Sequence, residues 1–266
     1  MTRAGAAIVC LTLLAAVIGP TIAGVDPAFQ NLPLRLEGPS LSHWFGLDEL
    51  GRDILARLLA GARISLLVGA VVVGISATVG TLLGSIAGYY GGIIDDLMSR
   101  VSDILMAFPG LLLAIAVVAV LGPSLTNVVL ALTLIGWVGY ARVVRGQVLR
   151  VRELEYVQAA RALGATTPRI LVRHIVPATL PALIVQATLG MGGAILAEAS
   201  LSFLGLGVQP PTPSWGTMLN GGRAHLLDAP HLTLFPGIAI ALLVLGFNFV
   251  GDGLRDLVDP KRPGAR

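Results

Sequence analysis

The sequence predicts an all-α integral membrane protein of six transmembrane helices. Three observations carry this. The chain is 55% hydrophobic, with a mean hydropathy of +0.84. Only 12% of its residues are charged, against about 25% in soluble proteins. Its uncharged runs repeatedly reach the roughly 20 residues that a helix needs to cross the hydrocarbon core. A soluble fold of 266 residues with this composition has too little polar surface to cover its core, so the bilayer is the natural solvent.

The first span is expected over 4–23, preceded by Arg3. Thr21-Ile22-Ala23 weakly resembles the small-residue cleavage site of a signal peptide, but the apolar run is long enough to cross and is expected to stay as a helix. The uncharged run Ile64–Ile94 predicts a second span over 64–89. Ile104–Ala141 is uncharged over 38 residues, too long for one ordinary span. Gly122-Pro123-Ser124 breaks it, which gives spans over 104–121 and 126–148. The latter carries Arg142 and Arg145 near its end, where long side chains reach the interface. A fifth span is expected over 182–204, after Pro177 and Pro181, and a sixth over 232–251. Loops then fall at 26–63, 149–181 and 205–231.

Six spans put both termini on one side. That side holds 13 of the 18 basic residues: Arg3, Arg100, seven arginines from Arg142 to Arg173, Arg255, Lys261, Arg262 and Arg266. The other side holds five: Arg35, Arg52, Arg57, Arg63 and Arg223. Cytoplasmic loops carry the excess of Arg and Lys, so the termini and loop 149–181 are expected in the cytoplasm, with loops 26–63 and 205–231 outside.

Several function classes fall away. The net charge of +3 reflects this orientation signal rather than nucleic-acid binding. Cys10 alone permits no internal disulfide, and His43, His174, His225 and His231 match no zinc spacing. Nucleotide hydrolysis needs a phosphate cradle of the GxxxxGK[ST] type, but the only lysine is Lys261, between Pro260 and Arg262. Gly74-Ile75-Ser76-Ala77 faintly resembles a serine nucleophile turn but lies mid-span without a histidine nearby. No catalytic residue, metal ligand or cofactor is assigned to this chain.

Within the spans, Ser76, Gly80, Gly84 and Gly88 recur every four residues and share a helix face. Small residues let a second helix approach closely, which suits bundle packing in lipid. Gln186, Gly190, Ala194 and Glu198 share a face of the fifth span in the same way. Gln186, Gly190 and Glu198 are therefore candidates for a substrate pathway, although a buried, hydrogen-bonded structural carboxylate is the favoured reading of Glu198.

Residues 150–181 form the most informative segment. Val151–Leu163 reads as an amphipathic helix with Leu154, Val157, Ala160 and Leu163 near one face. Gly164 suits its C-terminal cap. Thr167-Pro168 suits the start of a second helix, which Pro177 and Pro181 are expected to end. Such a knob fits either docking into a partner's groove or the membrane surface.

The spacing Gln158-Ala159-Ala160, three residues, Gly164, nine residues and His174-Ile175-Val176-Pro177 resembles the EAA loop of ABC-importer permeases, with Gln158, His174 and Val176 replacing Glu, Ile and Leu. Three further segments narrow the resemblance: His43 to Asp53 with Leu47 in place of Thr, Glu198 to Gly207, and Pro211 to Gly216. In order, they make the chain similar to the C-type subunit of the dipeptide/oligopeptide/nickel permeases.

The resemblance implies a type I importer architecture in a bacterial inner membrane, with this chain forming half of a pathway for di- or oligopeptides. It implies that Glu155, Gln158, Ala159, Ala160, Arg161, Gly164 and Pro177 form a coupling helix against one or two ATP-binding subunits, which bind the ATP and Mg. A second homologous permease and an extracellular or periplasmic binding protein complete the expected partners. Nickel or haem are alternative cargoes. An ion-coupled carrier is a second class, but it predicts internal repeats and charges inside the spans, and only Glu198 lies well inside one. In loop 26–63, Gly51, Arg52 and Asp53 are expected to form a turn with a local ion pair.

Overall fold

The computed structural model describes residues 1–258; Lys261, Arg262 and Arg266, counted toward the orientation, lie outside the described residues. Ten α-helices dominate the described part, which contains no β-strand beyond an isolated bridge between Leu47 and Asp53. They are α1 (Thr2–Ala23), α2 (Ile54–Tyr90), α3 (Gly92–Met106), α4 (Gly110–Leu121), α5 (Leu125–Val151), α6 (Glu155–Ala162), α7 (Thr167–Ile170), α8 (Val176–Phe203), α9 (Trp215–Gly222) and α10 (His231–Val258). Five helical stretches are long and apolar enough to cross a membrane: α1, α2, α5, the continuous run from α7 through α8, and α10. The bent pair α3–α4 supplies a sixth if it counts as one span.

Three helix boundaries differ from the sequence expectation. The third span is not a single rod over 104–121. Pro109 removes a donor and restricts Phe108, so the chain bends by 83° between α3 and α4. The 12 residues of α4 rise about 18 Å, short of the ~30 Å hydrocarbon core. The second span begins ten residues early, at Ile54, because Asp53 accepts a hydrogen bond from Ala56 N at 2.9 Å and caps the helix there. Arg57 and Arg63 are thus helical rather than in a loop. The fifth span is not interrupted at Pro177 and Pro181. A π turn over Leu171–Ile175, in which Val176 N donates to Leu171 O, widens the helix just before Pro177. That extra residue makes room for a ring that would otherwise meet the carbonyl four residues back. The helix preceding it is capped by Thr166 rather than Thr167.

The bundle is built around α2. It packs along α5 and α8, while α1 lies against α10 and α2. Ser76, Gly80, Gly84 and Gly88 all face α5. A Cβ added at Gly80 would lie 2.5 Å from Tyr140 Cβ and 2.7 Å from the Trp137 carbonyl oxygen. One added at Gly84 would overlap the Ala141 carbonyl, and one at Gly88 would lie 2.9 Å from Val148 Cβ. Lipid gives helices no hydrophobic drive to associate, so this backbone-close contact supplies the dispersion energy instead. On α1, Pro20 offers no N–H to the Ala16 carbonyl; Arg63 of α2 donates its Nε–H there and its Nη2–H to Val17 O at 2.9 Å.

The close crossing predicts a contrast. Gly84→Leu forces side-chain volume onto the α5 backbone and is expected to cost about 1–3 kcal/mol, whereas Gly74→Leu, with nothing within 4 Å of its added Cβ, is expected to be nearly neutral. Thermal unfolding of the two variants in detergent checks this. Equal melting temperatures would contradict the crossing.

Candidate functional site

The segment after α5 turns back onto the bundle through a small apolar core. Val157 of α6, Ile170 of α7 and Ile175 of the π turn bury against Val144, Val148 and Val151 of α5. α6 is shorter than the predicted helix, since Val151 belongs to α5 and Leu154 caps α6. Of the expected apolar face only Val157 is buried; Leu154 is exposed and Leu163 is 88% exposed. Gly164 has φ +82°, the left-handed cap that glycine adopts without penalty, and its N–H donates to Arg161 O at 3.0 Å.

Two arginines fasten this segment to the end of α2. Arg152 Nη1 donates to Gly88 O at 2.8 Å, placing a cation on the last carbonyls of that helix. Arg161 Nη2 donates to the Tyr89 hydroxyl at 3.2 Å, and its guanidinium sits 5.4 Å from the Tyr89 ring centre. Arg161 thus reaches back to α2 while staying exposed, as are Glu155, Gln158 and Ala159; Ala160 is half-buried. On the far side of α5, Arg145 forms a bidentate pair with Asp95 of α3, one arm at 2.6 Å, and Arg142 pairs with Asp103.

Further along the bundle, α2, α4, α5 and α8 line a half-open cavity of about 300 Å³. Val73, Ser76, Gly136, Tyr140, Gln186 and Gly190 line it. The structure brings Gln186 and Gly190 together here, as their shared face suggested. Tyr140 was missed from sequence: its position, four residues after Gly136 and opposite the Gly80 contact, was the available signal.

Glu198 is not in this cavity. It is fully buried in a junction of α2, α8 and α9. Ser202 donates to its Oε1 at 2.7 Å, and the Ser65 and Ser214 hydroxyls face the same carboxylate. Ser214 also caps α9 through a reciprocal box with Thr217, and Trp215 Nε1 donates to Leu58 O at 2.9 Å. Within the loop expected over 205–231 the chain thus forms α9, and Glu198 helps to seat it.

In the loop before α2, Gly51 adopts φ +71° with its α-carbon against the Asn31 carbonyl. Arg52 does not pair with Asp53, the ion pair expected in this turn. Its Nε donates to Asp48 Oδ2 at 2.7 Å, and Arg57 approaches the same oxygen at 3.4 Å. Asp53 is occupied by Ala56 N and by His43 Nδ1, the latter at 2.9 Å. The turn is thus held by one buried aspartate, Asp48, which also accepts the Leu50 and Arg52 amides at 2.9 Å each.

Because Ser202 donates to the buried Glu198 carboxylate, Glu198→Leu is expected to leave that hydroxyl without its acceptor and to destabilise the protein by about 1–3 kcal/mol, with Glu198→Gln milder since it keeps an acceptor. Unfolding in detergent ranks the two, and an equal or reversed order would contradict this junction.

Comparisons with known proteins bear on the chain as a whole. Residues 80–262 match the family model described as the binding-protein-dependent transport system inner membrane component. The chain is 50% identical over 97% of its length, and 84% of the relative's, to the dipeptide transport system permease protein DppC of Alkalihalophilus pseudofirmus. It is 49% identical to the glutathione transport system permease protein GsiD of Escherichia coli O6:K15:H31, over 99% of this chain and 88% of that one. Its fold is similar to a chain of the inward-facing MetNI methionine ABC transporter in a CY5 native crystal form, with a TM-score of 0.59 at 20% identity, covering 76% of this chain and 96% of the other. The chain therefore belongs to the inner membrane components of binding-protein-dependent transport systems, the multi-pass permease subunits of ABC importers.

Proposed function

We propose that this chain forms half of the pathway of an importer for di- or oligopeptides and couples that pathway to ATP hydrolysis by a separate subunit. The observation that carries the proposal is the seating of α6. The helix is fastened to α2 by Arg152 and Arg161 and to α5 by Val157, while Glu155, Gln158, Ala159 and Leu163 are left bare. A helix held stiffly on one side and exposed on the other suits a partner's groove. The partner in this reading is an ATP-binding subunit, one or two kinds of which hold the ATP and Mg. Closing of those subunits would move α6 together with the ends of α2 and α5 and switch access to the cavity.

In the same reading the termini and the α6 segment lie in the cytoplasm, as the arginine distribution favours. The loop before α2 and the α9 region face outward, toward a substrate-binding protein. A second homologous permease supplies the other half of the pathway. Gln186 and Gly190 line it, and Glu198 holds α9 in place. The peptide cargo is supported by the 50% and 49% identity to permeases named for dipeptide and glutathione transport.

Two experiments test this. A β-branched residue at Gly164, such as Gly164→Val, must adopt a left-handed conformation that costs about 1–2 kcal/mol, so the end of α6 shifts; ATP-driven peptide uptake by the assembled complex is expected to fall at least about tenfold, which such a misplacement can cause, while membrane insertion persists. Normal uptake would remove α6 from the coupling. For orientation, Ser42→Cys and Ala160→Cys are placed separately in a Cys10→Ser background and exposed to a membrane-impermeant maleimide. Intact cells are expected to label Cys at position 42 only, and the reverse pattern would overturn the topology.

A further inference from the structure

The end of α10 that follows loop 205–231 carries an apolar surface that the described residues leave uncovered. Leu41 is 99% and Trp44 69% exposed in the loop before α2, and Leu226 and Leu227 are 55% and 97% exposed in the turn before α10. These side chains are held out by firm structure. Ser40 N donates to His43 O at 2.8 Å, His43 N to Ser40 Oγ at 3.1 Å and Gly46 N to His43 O at 2.9 Å, while His43 is tied to Asp53. Ala229 N donates to His225 O at 2.8 Å and closes the turn that bears Leu226 and Leu227. The run Gly38–Leu47 contains no Asp, Glu, Lys or Arg.

The depth of this surface follows from α10. Its apolar stretch, His231–Leu257, has 27 residues and rises about 40 Å. The hydrocarbon core measures ~30 Å, and the bilayer with its headgroup layers about 40–45 Å. A helix that fills the whole bilayer has its first turn in a headgroup layer. Both exposed segments meet that turn. Phe45 stacks on Phe235 with ring centres 4.1 Å apart, and the His231 ring lies against Gly46, with Nε2 3.4 Å from Leu47 O. Leu41 and Trp44 are therefore near the same level, and Leu226 and Leu227 immediately precede α10. The surface also stands on a flank of the bundle. α10 packs on α1, α8 and α9, and no residue of α1 or α10 lines the cavity beside Tyr140. An indole at headgroup depth lays its rings among acyl chains and keeps its N–H with polar groups. Leucines beside it gain by leaving water.

We propose that Leu41, Trp44, Leu226 and Leu227 anchor this end of the chain in the headgroup layer of the outer leaflet, making the surface a contact with lipid rather than with cargo or a protein partner. This rests on the outward orientation proposed above and adds what the outward loop touches. The anchor bears on transport through what is attached to it. His43 ties the Trp44 turn to Asp53, the cap of α2, and His231 ties it to α10. The outer ends of two spans are thereby held at a fixed depth while α6 moves at the opposite face, so the anchored end serves as the fulcrum.

The test uses the assembled complex in vesicles of phosphatidylethanolamine and phosphatidylglycerol. Part of the lipid is replaced by phosphatidylcholine brominated either near the headgroup end or near the methyl end of its acyl chain. Bromine quenches tryptophan on contact. Subtracting the emission of Trp44→Phe from that of the wild type isolates Trp44 from Trp137 and Trp215, and co-elution of the variant with its partners shows that the complex has assembled. Trp44 is expected to be quenched at least about twofold more strongly by the shallow bromines than by the deep ones, as an interfacial indole should be. A bimane label at Leu227→Cys, in a Cys10→Ser background, should show the same order. Emission that ignores both brominated lipids but is quenched by aqueous iodide would overturn the anchor. Emission reached by neither bromine nor iodide, or shielded from iodide only when the binding protein is added, would also overturn it and mark a protein partner instead. Bromine reports lipid from either leaflet, so shallow quenching together with the reversed maleimide pattern would overturn the outward orientation and assign the lipid contact to the inner leaflet.

Discussion

The approach of α2 to α5 is the constraint on which the rest of this molecule depends. Gly80, Gly84 and Gly88 bring the two backbones within contact of each other, and in lipid such contact has to do what hydrophobic burial does in water. The α2–α5–α8 cavity and α6 both lie along that seam. One step from it opens the cavity lined by α2, α4, α5 and α8, where Ser76 packs on Gly136 and Tyr140 on Gly80 and Gly190. At its end, Arg152 crosses from α5's terminus to the Gly88 carbonyl and carries α6 with it. A bundle joined more loosely here could not hold the cavity and α6 in register.

The two ends of the seam are stiffened by different chemistry. At the α6 end, cations cap a helix C-terminus and pair with aspartates on α3, interactions that tolerate partial exposure. At the α9 end, a buried Asp48 organises the turn before α2, and a buried Glu198 organises the turn before α9. Burying a carboxylate is costly unless it is well bonded; Asp48 gathers two amides and the Arg52 guanidinium, and Glu198 accepts the Ser202 hydroxyl. Both therefore fix loops onto the bundle rather than lining the cavity.

The helical architecture was legible because apolar length is a direct consequence of hydrocarbon thickness. The small-residue stripe on α2 and the left-handed Gly164 were legible for equally local reasons. What was not legible depended on partners distant in sequence. Asp53 could be read as an ion-pair partner, but capping α2 and meeting His43 won. Pro177 could be read as a stop, but the π turn at Leu171–Ile175 absorbs its strain, and the helix also runs on through Pro181. Pro109 was hidden inside a long apolar run whose hydropathy says nothing of an 83° bend. Glu198 shared a helical face with Gln186, yet twelve residues along an α-helix is enough drift, with Ser65 and Ser214 waiting, to put it in a different environment.

The central claim is that α6 moves as one body with the adjoining ends of α2 and α5. Spin labels at Gln158→Cys on α6 and Leu83→Cys on α2, in a Cys10→Ser background of the assembled complex, measure this by pulsed electron resonance. The separation is expected to be the same with and without bound ATP, while the distance from position 158 to the equivalent helix of the second permease shortens on ATP binding. A change in the 83–158 separation with no movement between the two permeases would contradict it.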